Sequence, residues 1–423
     1  MKVLITDPIA REGVEKLKEE GFEVTEKKGL EEDQICKIIP DYDALIVRSE
    51  TKVTEKIINA ASNLKIIGRA GTGLDNIDVE AATRKGIIVM NTPESNTISA
   101  AEHTISMLLS LSRNIPQANA SLKKGIWDRK RFMGQEVYGK TLGIIGLGRI
   151  GSEVAKRAQA LGMKVIAYDP FVNKEKAEEI GVRMCEFEKL LGEADYITIH
   201  TPLTQHTRGL IGKREFSLMK EGVRIINCAR GGIIDENSLY EAIKSGKVKG
   251  AALDVFEKEK PFDSPLLELD CVIATPHLGA STQEAQIRVA REIASQIIDA
   301  LKKGEIRNAV NMVTFPSHLT RKIGGYLSLA EKIGKLAAQL IEGNLKEIKV
   351  TYRGSIADYE TRPVTASLIK GLLGFILQES INYINAPFLA KERGIEVSEV
   401  KTTEEKEYSS LMQANFITER GKI

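Results

Sequence analysis

A chain of 423 residues is long enough for about three domains of ordinary size, each able to bury its own core. Its 60 basic and 58 acidic residues leave a formal net charge of +2, so there is no global electrostatic case for nucleic acid, and any charged ligand must be recognised locally. Four scattered cysteines (Cys36, Cys185, Cys228, Cys271) form no C-x-x-C or zinc-ligand grouping, which points to free thiols in a reducing cytoplasm and no metal centre; no apolar stretch approaches the roughly 18 residues of a membrane span.

From the N-terminus, short apolar runs alternate with helical spacing. Lys2 to Thr6 reads as a strand before Asp7-Pro8, Gly13 to Lys18 as a helix, and the run from Phe22 as a second strand. Ala44 to Val47 is a strand ending at Arg48-Ser49, Thr54 to Ala61 a helix, and Leu64 to Ile67 a strand ending at Gly68-Arg69-Ala-Gly-Thr-Gly73. Gly86 to Met90 adds another. Such alternation implies a parallel sheet with ligand loops at the carboxyl ends of its strands, which makes Arg48, Ser49, Arg69 and Thr72 ligand-facing. Arginine there can pair bidentately with a carboxylate or phosphate; a surface ion pair is the alternative. The helix through Ala100 to Ser112 is apolar over much of its circumference and is expected to be buried, connecting the first domain to the next. His103 on it reads as a packed, hydrogen-bonded histidine. The stretch Gly125 to Gly134 holds Trp127 and the basic run Arg129, Lys130 and Arg131, either a solvated loop or a source of positive charge for an anionic substrate.

Gly146, Gly148 and Gly151 follow a buried-strand pattern and open a helix at G-x-G-x-x-G spacing. Gly146 permits the tight turn, Gly148 admits a pyrophosphate to the backbone, and Gly151 allows close helix packing, with free amides at the helix start facing the phosphates. About twenty residues on, a second apolar run ends at Asp169, whose carboxylate can accept from both ribose hydroxyls and repel a 2'-phosphate, favouring NAD over NADP. A strand-ending turn at Asp169-Pro170 is the plainer alternative.

Further strands over Asp195–His200, Val223–Asn227, Gly250–Asp254 and Cys271–Thr275 end in polar loops. Arg230, Glu259 and His277 gather on such ends. Oxidising a secondary alcohol needs a base, and histidine's ordinary pKa lies near physiological pH. A carboxylate such as Glu259 on the other ring nitrogen would fix the tautomer, and Arg230 could grip a substrate carboxylate. His200 and His206 read as loop residues beside a proline turn, and His318 lies beyond this region.

Gly146 to Gly151, Asn227-Cys-Ala-Arg-Gly-Gly232, Ala252-Leu-Asp-Val-Phe256 with Glu259, and Pro276-His-Leu-Gly-Ala-Ser-Thr282 resemble the signatures of the D-isomer-specific 2-hydroxyacid dehydrogenases, over Met1 to about Asn311. The resemblance implies an α/β architecture: a Rossmann-like nucleotide domain (97–281) inserted in a flavodoxin-like substrate domain (1–96 and 282–309), with a returning helix over Thr282 to Leu301. It implies Arg230 as substrate binder, His277 as acid or base, Glu259 as its partner, and cofactor contacts from Thr72, Arg149, Ile150, Asp169, Thr201, Cys228, Ala229, Asp254 and Gly279 beside the three glycines. Val47-Arg-Ser49, Arg69 to Asp78, Ser95-Asn96 and Trp127 to Gly134 are similar to the branch that oxidises 3-phosphoglycerate at the entry to L-serine synthesis. That implies Arg48, Ser49 and Asn96 facing substrate, extra cationic groups from Arg69 and Arg129, and a homodimer or homotetramer in which the basic loop reaches the neighbouring subunit's site. A glyoxylate or hydroxypyruvate reductase, and a transcriptional corepressor on the same fold, are the competing readings.

From residue 310 the composition changes. A helix over Ile323 to Ile341, a strand over Leu345 to Tyr352 and a helix over Ala366 to Ile384 resemble the start of the intervening domain of long members of the family. The chain ends at Ile423 after the charged stretch Lys401 to Glu407, so residues 310–423 are expected to be a partial domain, either naturally short or cut from a longer reading frame, with serine feedback in doubt.

Overall fold

The structure is a computed structural model that describes residues 1–312, 317–377, 381–403 and 408–423. The chain forms two compact units, Met1–Pro93 with Ile287–Ile423, and Glu94–Gln286.

The first unit opens with a parallel sheet of β1 (Lys2–Ile5), β2 (Glu23–Glu26), β3 (Ala44–Val47), β4 (Ile66–Arg69) and β5 (Ile88–Asn91), in the order β2-β1-β3-β4-β5. This is the flavodoxin-like order. All four residues of β3 are buried, as a strand covered on both faces requires, and this makes it an unbroken apolar run. The returning helix, Gln283–Ile298, contributes buried Val289, Ala290, Ile293, Ile297 and Ile298 to this unit; each such isoleucine is worth about 1.5–3 kcal/mol. It seats closely because Gly13 and Gly68 carry no side chain: a Cβ on Gly13 would lie 2.6 Å from the Ala290 carbonyl oxygen, and one on Gly68 2.9 Å from Ile293.

The second unit holds seven parallel strands, β6 (Thr141–Ile145), β7 (Lys164–Tyr168), β8 (Arg183–Met184), β9 (Tyr196–Ile199), β10 (Val223–Asn227), β11 (Val248–Leu253) and β12 (Val272–Ala274), in the order β12-β11-β10-β9-β6-β7-β8. Strand order reverses beside β6, and ligands of such sheets sit at that switch point. The helix expected over 100–112 runs Thr97–Arg113. It is not buried all round. Ile98, Glu102 and Ser106, four residues apart, form an exposed stripe, while buried Ser112 in the last turn bonds the buried Tyr196 hydroxyl at 2.9 Å.

The remainder of the first unit has, among the described residues, β13 (Leu345–Gly354), β14 (Glu396–Thr402), β15 (Ser410–Thr418) and β16 (Gly421–Lys422) in the order β14-β13-β15-β16. β13 runs parallel to β14 and antiparallel to β15. Its helices Ser317–Leu340 and Arg362–Ile376 cross backbone to backbone, since a Cβ at Gly334 or Gly371 would meet the facing carbonyl at 2.0 or 2.1 Å. The single helix expected over 366–384 is a correction. The first helix starts at Arg362, behind which Pro363 supplies a ready helical φ, and ends at Ile376. A separate helix runs Asn385–Glu392, initiated where Asn382 Oδ1 accepts the amides of Ile384 and Asn385 at 2.9 and 3.2 Å. Residues 378–380, part of the expected helix, and 404–407, part of the charged stretch, lie outside the described residues, as does the His318 side chain.

Candidate active site

Each glycine of the loop after β6 serves a different need. Gly146 has φ 95°, and a Cβ there would lie 2.8 Å from the His200 carbonyl oxygen. One on Gly151 would lie 2.2 Å from the carbonyl oxygen of Gly146 itself, so the helix Arg149–Ala160 packs on the turn as well as on the strand. At Gly148 a Cβ would meet nothing within 4 Å. That glycine is therefore not demanded by the protein's own packing, and the open space beside a helix N-terminus suits a phosphate group. Asp169 closes the loop: its carboxylate accepts the amides of Leu147 at 2.9 Å and Phe171 at 2.8 Å. Next to the turn, the Thr201 hydroxyl is buried without a hydrogen-bond partner among the described residues, a group for which a bound dinucleotide offers a partner. These features fit the NAD inferred from Asp169. Arg149 pairs with Glu94 at 3.3 Å, and burial pushes the Cys228 thiol up to about 12, so it stays protonated.

His277 follows β12 in the left-handed region, at φ 58°, an unusual and strained conformation for a side-chain-bearing residue. Its amide donates to the carbonyls of Asp254 and Thr275, both at 3.0 Å. Its Nδ1 lies 3.3 Å from Glu259 Oε1, the pairing expected for a base and its orienting carboxylate, and both side chains are open to solvent. Asp254 is only 1% exposed. Its Oδ1 accepts from Leu278 N at 2.7 Å and Thr275 Oγ1 at 2.6 Å, and its Oδ2 from Gly279 N at 2.8 Å. Burial opposes the charged form, but hydrogen bonds from His103, Thr275 and the Leu278 amide outweigh it and hold this carboxyl below the usual carboxylate range. The expected cofactor residues Asp254 and Gly279 thus also bind each other. His103 is hydrogen-bonded, as expected, but within this polar cluster rather than apart from one.

Arg230 stands on a loop that Asn227 staples at both ends, accepting from Ala229 N at 3.0 Å and donating to the Arg230 carbonyl at 2.9 Å. Gly231 lies against the next strand-end loop, where a Cβ would sit 1.8 Å from the Phe256 carbonyl oxygen. The Arg230 and Asp254–Glu259 loops are therefore in direct contact. Arg129 stands on an exposed loop whose Arg131 pairs with Asp270 at 2.9 Å, and Asn96 takes the N-cap position of the helix Thr97–Arg113, without a side-chain capping bond.

In the first unit, Arg48, Ser49, Arg69 and Thr72 occupy the carboxyl ends of β3 and β4, as expected. Asp7, which the sequence reading passed over, pins the Arg48 loop: it is buried and accepts from Arg48 N at 2.6 Å, Thr51 N at 3.1 Å and the Thr51 hydroxyl. Its signal was its place, polar and immediately after a strand. Asn76 Nδ2 caps the same loop at the carbonyls of Arg48 and Thr51. The Arg69 guanidinium lies over Gly71, where a Cβ would come 1.5 Å from Nη1. His200, read as a loop residue, is held near Thr198 Oγ1 at 3.0 Å, and burial lowers its pKa to about 3.

The family described as D-isomer specific 2-hydroxyacid dehydrogenase, NAD binding domain, matches residues 105–279, and the D-3-phosphoglycerate dehydrogenase intervening domain matches residues 322–423. A D-3-phosphoglycerate dehydrogenase of Archaeoglobus fulgidus is 50% identical over 423 residues, all of this chain and 80% of that relative. Among solved structures, the NAD-bound 3-phosphoglycerate dehydrogenase of Entamoeba histolytica has a TM-score of 0.63 at 34% identity, covering 74% of this chain and 99% of that one. A glyoxylate reductase from Paecilomyes thermophila has a TM-score of 0.67 at 33% identity, covering 73% and 98%.

Proposed function

The chain belongs to the D-isomer-specific 2-hydroxyacid dehydrogenases, and from that premise we propose that it oxidises 3-phospho-D-glycerate to 3-phosphohydroxypyruvate with NAD, the first step of phosphorylated L-serine synthesis. The observation that carries this reading is similarity to D-3-phosphoglycerate dehydrogenases over the whole chain, including the intervening domain. The glyoxylate reductase likeness is weaker, at 33% identity over 73% of the chain against 50% over all of it. A corepressor role is disfavoured by a filled acid-base site.

His277 takes the proton of the C2 hydroxyl on Nε2, while Glu259 at Nδ1 holds the ring and stabilises the imidazolium. Arg230 grips the substrate carboxylate bidentately. The C2 hydrogen leaves with its electron pair; bound NAD supplies the hydride acceptor. Gly146, Gly148, Arg149, Ile150, Gly151, Asp169, Thr201, Cys228, Ala229, Asp254, Gly279 and Thr72 are assigned to the cofactor, and Arg48, Ser49, Arg69, Asn96 and Arg129 to the substrate, whose phosphate needs more cationic groups than a lactate does.

The domains are assigned as residues 1–96 with 282–309, 97–281, and 310–423. The assembly is a homodimer or homotetramer in the cytoplasm: the helix Ile115–Lys123 buries none of its residues, and Ile115, Leu122, Trp127 and Met133 around it are all more than half exposed, an apolar surface suited to a second copy. No described helix is long and apolar enough to cross a membrane. Steady-state kinetics with NADH test the substrate. 3-Phosphohydroxypyruvate should exceed hydroxypyruvate at least a hundredfold in kcat/KM; equal values would make this a hydroxypyruvate reductase.

A further inference from the structure

We infer that His103 is a positioning residue for the base, acting through Asp254; this rests on the assignment of His277 above. One face of the helix Thr97–Arg113 grips the loop that presents His277. Ser99, His103 and Met107 are spaced four residues apart and so share that face. Ser99 Oγ donates to the Gly279 carbonyl at 2.8 Å, His103 Nε2 lies 3.1 Å from Asp254 Oδ1 and 3.2 Å from Thr275 Oγ1, and Thr275 Oγ1 lies 3.9 Å from Met107 Sδ. A carboxylate accepts only, so the ring nitrogen facing it carries the proton and His103 donates.

His277 is held in a left-handed conformation that persists only where its surroundings over-determine it. The surroundings that do so converge on one buried carboxylate. Asp254 takes the amides of both residues after His277, and its own carbonyl takes the His277 amide. Among the described residues, four donors reach this carboxylate, from Thr275, Leu278, Gly279 and His103. Three belong to the loop itself. Only His103 comes from a different element, so it fixes where the carboxylate, and with it the whole loop, stands against the helix. Removing that donor leaves a buried charge under-satisfied and frees it to turn. The amides of Leu278 and Gly279 follow, and His277 drifts from the geometry in which Nδ1 meets Glu259. Hydride transfer is sensitive to such drift, since about 1 Å of misplacement can cost about a hundredfold.

The test compares His103→Phe, which keeps the volume and removes the donor, with His103→Gln, which keeps a donor at the same reach. In the intact enzyme, His103→Phe should lower kcat about ten- to a hundredfold, leave the KM for 3-phosphoglycerate within about threefold, and raise the isotope effect on kcat with substrate deuterated at C2, because chemistry becomes slower than product release. His103→Gln should recover most of kcat. A folded His103→Phe with kcat within twofold of the parent overturns the inference. So does equal impairment of the two variants, which would make His103 a matter of packing. If His103→Phe does not fold, His103→Asn, a polar side chain too short to reach Asp254, reads the same brace: a lower kcat supports it, and an unchanged kcat overturns it. Absence of turnover of 3-phosphoglycerate by the parent enzyme would instead overturn the substrate assignment, and the brace would then be read with whichever 2-hydroxyacid is oxidised.

Discussion

Asp7 and Asp254 stand just past the ends of parallel strands in different sheets, and each buried carboxylate accepts two backbone amides and a threonine hydroxyl. Asp7 fixes the loop that carries Arg48; Asp254 fixes the loop that carries His277. The two corners differ in what holds the carboxylate itself. Asp254 has a histidine donor from a separate helix, whereas the donors to Asp7 come from the Arg48 loop it organises. The side chains they serve explain the difference. A guanidinium on a long stem can re-aim after a small backbone shift. An imidazole is attached two bonds from the backbone, so the backbone's error becomes the reactive nitrogen's error, and the corner beneath it needs the tighter brace.

The largest effect sets the scale of this comparison. His277→Ala should lower kcat about a thousandfold while the Kd for NAD, measured by equilibrium titration, changes little; retained turnover would remove His277 as the base. The two corners should then separate. Asp254→Asn is expected to reduce kcat about a hundredfold, and Asp7→Asn to raise the KM for the hydroxyacid about tenfold with kcat nearly preserved. If both substitutions act on kcat alone, the distinction between the corners is lost.

Gly148→Ala gives a contrast with both, because the glycine loop works by leaving space. It should weaken NAD binding about tenfold or more with Tm almost unchanged, since the added methyl meets no described residue within 4 Å; Gly151→Ala should lower Tm, its methyl falling 2.2 Å from a carbonyl oxygen. A drop in Tm for Gly148→Ala would show that its space is structural.

The smallest effect is on pH dependence of stability. His200 titrates at about 3 when folded against 6.5 for the unfolded chain. The unfolded state therefore binds the proton first, and stability is lost as pH falls below 6.5. His200→Gln should flatten the fall in Tm between pH 6.5 and 4, and an unaltered slope would show that other groups set it. Asp254 acts lower: its depressed folded pKa contributes stability above the ordinary 3.8 that is lost as pH falls through the folded value.

Parts of this arrangement were legible in the sequence because they are local. β3 was readable to the residue, since a strand buried on both faces must be an unbroken apolar run. The glycine loop was readable because its spacing is itself the mechanism, and the ends of successive strands brought Arg230, Glu259 and His277 into view. The two aspartate corners were not readable in the same way. His103 and Thr275 are 172 residues apart, and nothing local to either indicates that they meet. The break between the helices ending at Ile376 and starting at Asn385 was hidden for the opposite reason. Apolar spacing continues across it, while the signal that starts the new helix is a pair of asparagine side chains, Asn382 and Asn385, bonding to nearby backbone.

One assay tests the oxidation of 3-phospho-D-glycerate directly. With NAD and 3-phospho-D-glycerate, the full-length protein should produce NADH and 3-phosphohydroxypyruvate in equal amounts, and D-glycerate should give a rate at least a hundredfold lower in kcat/KM. NADH formation that is no faster with the phosphorylated acid than with D-glycerate would contradict it.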